Sequence, residues 1–382
     1  MRNLVKNLFV IGLSVVAGLF LCELALRFQE PFFHLVRKGP SRRLNSLLLS
    51  EQHPLWHHWP RPNMDLVYDT REPSRFPRPV VVHINAQGCR YPTDLITPKP
   101  AGVKRILVLG DSFTEGYYFE DTVAARLEKA LRAKHPDQKY EVVNCGFSSY
   151  SPLLHYIRIK DQFLGLQPDA VMMNIDNTDI WDDYWGYRPL GTFGPDGEPI
   201  SVHRPRVFLR WIKETGWSYS YLFRYGMLLV PAPAPAMRPP AAAPAGAPPK
   251  PVAARGRFDY FFQLSPQSKE WQTEVGYCIS NIERAVNLLR SKGIPVMVTT
   301  YPYEEQLPTP GGGPPTWNRE FEFAMRRMGE RDHVPFFSAY DAIAEAYRQH
   351  PDIYWKGDVH FNPAGQHIWS GVLAKYWLEN EL

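Results

Sequence analysis

A serine hydroxyl is a poor nucleophile at neutral pH and needs a base, most often a histidine that a carboxylate holds in place. Two short stretches of this 382-residue chain supply those three residue types. Gly110-Asp111-Ser112-Phe113-Thr114 follows the apolar run Ile106-Leu107-Val108-Leu109. Far downstream, Gly357-Asp358-Val359-His360-Phe361-Asn362-Pro363 precedes the last periodic segment. Ser112 is the candidate nucleophile, His360 the base and Asp358 the carboxylate. Neither stretch is specific alone, because Gly, Asp and Ser fill ordinary turns and a histidine before a helix is most often a surface neighbour of its cap. The combination carries the reading. Asp358 stands two residues before His360, so in an extended segment the two side chains would point in parallel. Asp358 reaches the imidazole most easily through a turn.

Positioning these residues requires a scaffold, and the pattern from residue 104 onward provides one. Buried-type strands are expected at 105–110, 140–144, 170–174 and 295–299. Between and after them, helical spacing is expected at 122–135, 153–166, 271–291, 318–331, 341–349 and 364–379. Strands alternating with helices imply parallel βαβ units, a sheet covered on both faces and an α/β fold. Ligands of open α/β sheets bind beyond the carboxyl ends of the strands, which is where Ser112 falls. A helix starting there offers backbone N–H groups to a developing oxyanion. Pro79-Val80-Val81-Val82-His83-Ile84 reads as a further strand, ended by the Asn85-Ala86-Gln87-Gly88 turn.

Taken together, these blocks resemble the SGNH/GDSL hydrolase superfamily. Gly110-Asp111-Ser112 matches its first block, which implies Ser112 as nucleophile and its backbone N–H as one oxyanion donor. Asn144-Cys145-Gly146-Phe147-Ser148-Ser149-Tyr150 matches the second block, whose glycine N–H donates; this carries over to Gly146. The third block is usually Gly-x-Asn-Asp, and here the strand runs into Asp176-Asn177-Thr178-Asp179. Thr178 stands at the Asn position by alignment and Asn177 has the Asn chemistry, so either could complete the oxyanion hole. The last block matches at His360, although the family commonly spaces its Asp three before the His. The resemblance covers about 80–382 apart from an interruption, and implies a flavodoxin-like three-layer α/β/α sandwich with a parallel sheet. Ile84-Asn85-Ala86-Gln87-Gly88-Cys89-Arg90 resembles an element that precedes the domain in membrane-anchored members. Asp-x-His before an aromatic and Asn also resembles the polysaccharide O-acetyltransferase branch, which transfers acetyl with the same triad.

Residues 8–22 carry no charge, and beyond Glu23 the apolar stretch continues to Leu26. Small residues at a cleavage site are lacking, so an uncleaved anchor at 1–27 is expected. Arg2 and Lys6 lie before the span and Arg27, Arg37, Lys38, Arg42 and Arg43 after it. Counted literally, that places the domain in the cytoplasm. A short basic start before an apolar run is nonetheless an export signal, and an extracytoplasmic domain is expected. Residues 28–103 read as a juxtamembrane extension and 104–382 as the hydrolase-like domain. An insertion at 184–268 interrupts it, containing the Pro/Ala-rich 231–254, an extended spacer by composition. Aromatics in 205–230 suggest a small cap.

Composition narrows the function classes. With 44% hydrophobic and 21% charged residues the chain is a folded protein, and 37 prolines are its one oddity. Net charge is only +4 and the basic residues form no stripe, so no nucleic-acid partner is expected. Trp181, Tyr184, Trp185 and Tyr187 follow the third block; packing is the commoner fate of such rings, but Trp181, Tyr184 and Trp185 could also form a substrate loop for a sugar. Asp179, Asp182 and Asp183 lack histidines or ligand-loop spacing and read as a solvated loop, with no metal or cofactor expected. The four cysteines form no Cys-x-x-Cys pair, no pairing of Cys89, Cys145 and Cys278 follows from spacing, and Cys145 reads as a small buried residue. The expected function is a serine esterase acting on an acyl ester, O-acetyl or short-chain, with an acylated carbohydrate as one candidate partner and the membrane as another. The alternatives are an O-acetyltransferase with the same triad and an inactive binding domain of an envelope assembly.

Overall fold

A computed structural model describes residues 2–28, 50–68, 80–116, 119–204, 220, 222, 265–309, 312–356 and 358–380. The expected spacer at 231–254 lies outside the described residues, as does the expected cap at 205–230 apart from Ser220 and Leu222. The chain divides into two compact units.

One unit comprises Met1–Glu51, Leu66–Val81 and Pro205–Ala247. It holds helix α1, Arg2–Phe28. Within α1, Phe9–Leu26 has mean hydropathy 2.4, none of it is buried, and it is long and apolar enough to cross a membrane. Glu23 accepts hydrogen bonds from the Ser220 hydroxyl (3.0 Å) and the Leu222 N–H (2.9 Å).

The other unit, Gln52–Asp65, Val82–Arg204 and Pro248–Leu382, carries the sheet. Its strands are β1 (Val103–Leu109), β2 (Lys139–Asn144), β3 (Ala170–Asn174), β4 (Val296–Thr300) and β5 (Phe336–Ser338). They are parallel in the order β2-β1-β3-β4-β5. That is the flavodoxin-like order, whose switch point lies between β1 and β3. β5 escapes the sequence pattern because it is a three-residue edge strand, half-buried throughout.

The helices are α2 (Ser112–Glu115), α3 (Val123–Lys134), α4 (Pro152–Asp161), α5 (Thr178–Trp181), α6 (Lys269–Ser291), α7 (Glu320–Asp332), α8 (Tyr340–Gln349) and α9 (Pro363–Glu379). Side chains alternate across a strand, so β1 feeds two cores. Leu107 and Leu109 pack with α4, α6 and α7 through Leu153, Ile157, Ile282, Val286 and Met325. Ile106 and Val108 pack on the opposite face with α3, α8 and α9 through Leu127, Ile343, Trp369 and Leu373. Burying a side chain of this kind stabilises by about 1.5–3 kcal/mol.

Three expectations change. The insertion does not begin at Tyr184: Asp182–Tyr187 is a π-helical turn, followed by a hairpin of Gly191–Phe193 and Pro199–Val202. Val202 is fully buried, donates its N–H to Leu55 O and accepts from His57 N–H, so the hairpin belongs to the core. The extension is likewise partly built into this unit, because Trp56 and His58 are buried in it. Finally, Cys145 is buried as expected but is bonded to Cys89, which ties the 84–90 turn to the end of β2. Cys22 and Cys278 are free.

Candidate active site

Ser112 opens α2 directly beyond β1, at the switch point of the sheet. Asp111 caps this short helix by accepting the Phe113 N–H at 2.9 Å. Glycine is required on both sides. A Cβ at Gly110 would lie 2.1 Å from Thr114 Oγ1, and one at Gly146 would lie 2.7 Å from Thr114 Cβ and 2.8 Å from the Glu115 N. The end of β2 can therefore close on α2 only with glycine at 146. Asn174, ending β3, donates to Thr114 Oγ1 (2.9 Å), and Arg90 donates to the carbonyls of Glu115 (2.8 Å) and Gly116 (3.1 Å). The turn that carries Ser112 is thus gripped by two strand ends and by the 84–90 element.

The Ser112 hydroxyl lies 2.7 Å from His360 Nε2, and His360 Nδ1 lies 2.7 Å from Asp358 Oδ1. A carboxylate only accepts, so Nδ1 carries the proton and Nε2 is left to accept from Ser112. The imidazole rests on Phe113 with ring centroids 4.6 Å apart. α9 begins just beyond, with Asn362 accepting from the N–H groups of Ala364 and Gly365.

The expected oxyanion donors are placed as follows. The Gly146 N–H is directed at Asn144 Oδ1 (3.1 Å). Thr178 gives its single hydroxyl proton to Asp176 Oδ1 (2.7 Å). Asn177 gives one amide hydrogen to Gln306 Oε1 (3.1 Å) and has a second. Trp181, Tyr184 and Trp185 form an aromatic group in which Tyr184 also meets Tyr277 and lies under the Arg188 guanidinium, 4.5 Å away. Trp185 remains 39% exposed.

The acidic loop is not solvated. Asp179, Asp182 and Asp183 are all buried. Asp183 accepts the Leu153 N–H at the start of α4 (3.0 Å) and the Asn281 amide (2.8 Å), and Asp179 accepts the Asp176 N–H (2.8 Å). Asp183 and Asp179 serve as internal acceptors for helix and turn donors, which sequence spacing does not reveal. Burial pushes Asp183 up to about 7. Among the described residues no group of three or more His, Cys, Asp or Glu could hold a metal ion.

Sequence reasoning also missed Asp176, Tyr301, Tyr303 and Glu115. Tyr301 and Tyr303 follow β4 and reach back to carboxyls beside the Ser112 turn. Glu115, the last residue of α2, is buried, accepts the Ser148 N–H (3.0 Å), and is pushed by burial up to about 8. An acid directly after Gly-Asp-Ser-Phe-Thr, on a four-residue helix, was the one signal available.

The profile of the GDSL-like lipase/acylhydrolase family matches residues 108–368, more than half of the chain. The chain belongs to that family, whose members act on ester bonds. No curated protein sequence matches it. Among solved structures it is similar to an acetylxylan esterase from Geobacillus stearothermophilus, with 14% identity, TM-score 0.41, and coverage of 71% of this chain and 93% of that one. It is also similar to a putative acylhydrolase from Bacteroides fragilis, with 12% identity, TM-score 0.38, and coverage of 75% and 91%. An alpha/beta hydrolase from the metagenome of Lake Arreo, Spain, gives 16% identity, TM-score 0.40, and coverage of 71% and 94%.

Proposed function

We propose that the chain is a membrane-anchored serine esterase that hydrolyses an O-acetyl or short-chain acyl ester through Ser112, His360 and Asp358. The observation that carries this reading is the unbroken relay from Ser112 Oγ to His360 Nε2 and from His360 Nδ1 to Asp358, each step 2.7 Å. Ser112 Oγ attacks the acyl carbonyl as its proton passes to His360 Nε2, and Asp358 stabilises the imidazolium. The oxyanion is met by the N–H groups of Ser112 and Gly146, the latter turning from Asn144 Oδ1, and by the second amide hydrogen of Asn177. Thr178 is the weaker candidate, since its hydroxyl proton is committed to Asp176. Collapse breaks the bond to the alcohol, which leaves with the proton from His360. Water then attacks the Ser112 acyl ester by the same steps in reverse order of roles, releasing the acid.

An acylated carbohydrate fits the reading, with the exposed Trp185 beside Trp181 and Tyr184 as a stacking face. The domain lies outside the cytoplasm, held by 1–27. Support comes from the Cys89–Cys145 disulfide, because such bonds persist in oxidising compartments and are rare in the cytosol.

A fluorophosphonate probe with peptide mapping tests the nucleophile, and labelling at Ser112 is expected. No labelling of folded protein would favour an inactive binding domain. Acyl transfer is the second reading, favoured by the turn that lets a two-residue Asp-x-His spacing work. Acetylated polysaccharide accumulating faster than free acetate would replace hydrolysis by transfer. Alkaline phosphatase fused after Leu382 should be active; an inactive fusion would reverse the orientation.

A further inference from the structure

Beneath the nucleophile turn lies a hydrogen-bond arrangement that the relay through His360 does not use. The Tyr301 hydroxyl is 3.0 Å from Asp111 Oδ1 and 2.9 Å from Asp176 Oδ2. A phenol has one hydrogen and cannot donate to both carboxylates. Asp176 Oδ2 also accepts from Tyr303 (2.7 Å), while Asp176 Oδ1 accepts from the Thr178 N–H and hydroxyl, both 2.7 Å. Asp111 Oδ1 already accepts the Phe113 N–H, and Asp111 Oδ2 lies 3.3 Å from Ser112 Oγ. Asp111 is 5% and Asp176 1% exposed.

We infer that Asp111 keeps its proton beside Asp176, with the Tyr301 hydroxyl set between the two carboxyls, so that Asp111 presents a neutral carboxyl to Ser112. Two neighbouring carboxylates in a buried site cannot both ionise. The remaining groups that face the pair do not relieve it. Asp179 of α5 is itself held well above the usual carboxylate range by burial and by Asp176, Tyr303 is a neutral donor, Cys278 of α6 is a thiol held neutral by burial, and the near nitrogen of His360 is engaged by the Ser112 hydroxyl. Among the described residues no lysine or arginine forms an ion pair with Asp111, Asp176 or Asp179. Burial first, and then the Asp176 charge, hold the Asp111 carboxyl well above the usual carboxylate range. The proton on Asp111 has a consequence at the nucleophile. An ionised Asp111 would compete with His360 for the Ser112 hydrogen and would oppose an oxyanion forming at the same turn. Asp111, Tyr301 and Asp176 are therefore positioning residues for Ser112.

The effect on turnover rests on the esterase reading, whereas the proton itself can be read without turnover. The test labels the side-chain carboxyls of aspartate with carbon-13 in the full-length chain and assigns them through Asp111→Asn and Asp176→Asn. The wild-type pair should retain one protonated carboxyl at neutral pH. Asp176→Asn removes the like charge and frees Tyr301 to donate to Asp111, so Asp111 should lose its proton about 1–2 pH units lower. The alkaline limb of kcat should move down with it while KM is unchanged, which a merely structural loss would not do. Tyr301→Phe keeps the ring packed on Phe113 and Trp369 and should move the Asp111 titration upward, since a donor to its charged form is lost. Two ionised carboxyls in the wild type at neutral pH, or an Asp111 titration indifferent to both variants, would overturn the inference. A wild type without turnover would sink the esterase reading alone, because the carboxyl titration would still be measured.

Discussion

Asp358 Oδ1 lies 2.7 Å from His360 Nδ1 although Val359 alone separates the two residues. The backbone makes this reach possible. Trp355 O accepts the Asp358 N–H and Trp355 N–H donates to His360 O, both at 3.0 Å. Tyr354 and Phe361 bridge at the base of the loop, and the Asn362 N–H returns to Ile353 O. The segment doubles back on itself, so the carboxylate swings toward the ring rather than running parallel to it.

Replacing Asp358 by Asn should therefore lower kcat by about 10⁴-fold, the scale of neutralising the carboxylate of a serine triad. The fold should hold, because Asn362 and not Asp358 caps α9. Steady-state kinetics on a short acyl ester would decide it. A loss below about tenfold would leave a Ser–His pair, with Asp358 outside the relay.

Ser112→Ala should abolish both ester hydrolysis and fluorophosphonate labelling while leaving the melting temperature almost unchanged. The capping bond at this turn belongs to Asp111, and the Ser112 hydroxyl contributes little to packing. Only the residual rate from oxyanion stabilisation and binding should remain. Full activity in this variant would end the serine mechanism.

Much of this arrangement was legible in the sequence, and the exceptions have physical reasons. The four longer strands and six helices announce themselves by period, since each buries a regular set of side chains. Ser112, His360 and Asp358 stand at strand-end and helix-start positions that the pattern itself marks. β5 was not legible, because three half-buried residues at a sheet edge carry no period. Asp179, Asp182 and Asp183 misled, because charge in a loop reads as solvation until the donors of Leu153, Asn281 and Asp176 are brought against it. The Cys89–Cys145 bond and the Tyr301 bridge are contacts between distant segments, which local spacing does not encode.

The disulfide should be measurable both by stability and by stoichiometry. It joins residues 56 apart in sequence, and closing a loop of that length stabilises by about 4 kcal/mol in the chain-entropy picture. Cys89→Ser should lower the melting temperature and reduce activity, since the bond anchors the 84–90 element to the β2 end beside Gly146. Thiol titration of unreduced, denatured protein should find two free thiols, from Cys22 and Cys278. Four thiols in protein isolated from its native membrane would remove the support for an exported domain.

Glu115 predicts how stability depends on pH. It is 3% exposed, and burial raises its carboxyl from 4.5 to about 8 despite the Ser148 N–H and the nearby Arg90. The folded state therefore binds a proton that the unfolded state releases above about 4.5. This contribution is fully present below the unfolded value and is lost as pH rises through about 8, with a slope of about 1.4 kcal/mol per pH unit between the two. Asp183, raised to about 7, acts in the same direction. Melting temperature should accordingly fall from mildly acidic to mildly alkaline buffer. Glu115→Gln cannot ionise, and its side-chain oxygen can still accept the Ser148 N–H, so it should flatten part of that slope and stabilise the alkaline protein. Asp183→Asn should remove a further part. Calorimetry across that range decides between the sources: a Glu115→Gln variant with the wild-type slope would mean that Glu115 is already ionised in the folded protein and that its burial is relieved by charge.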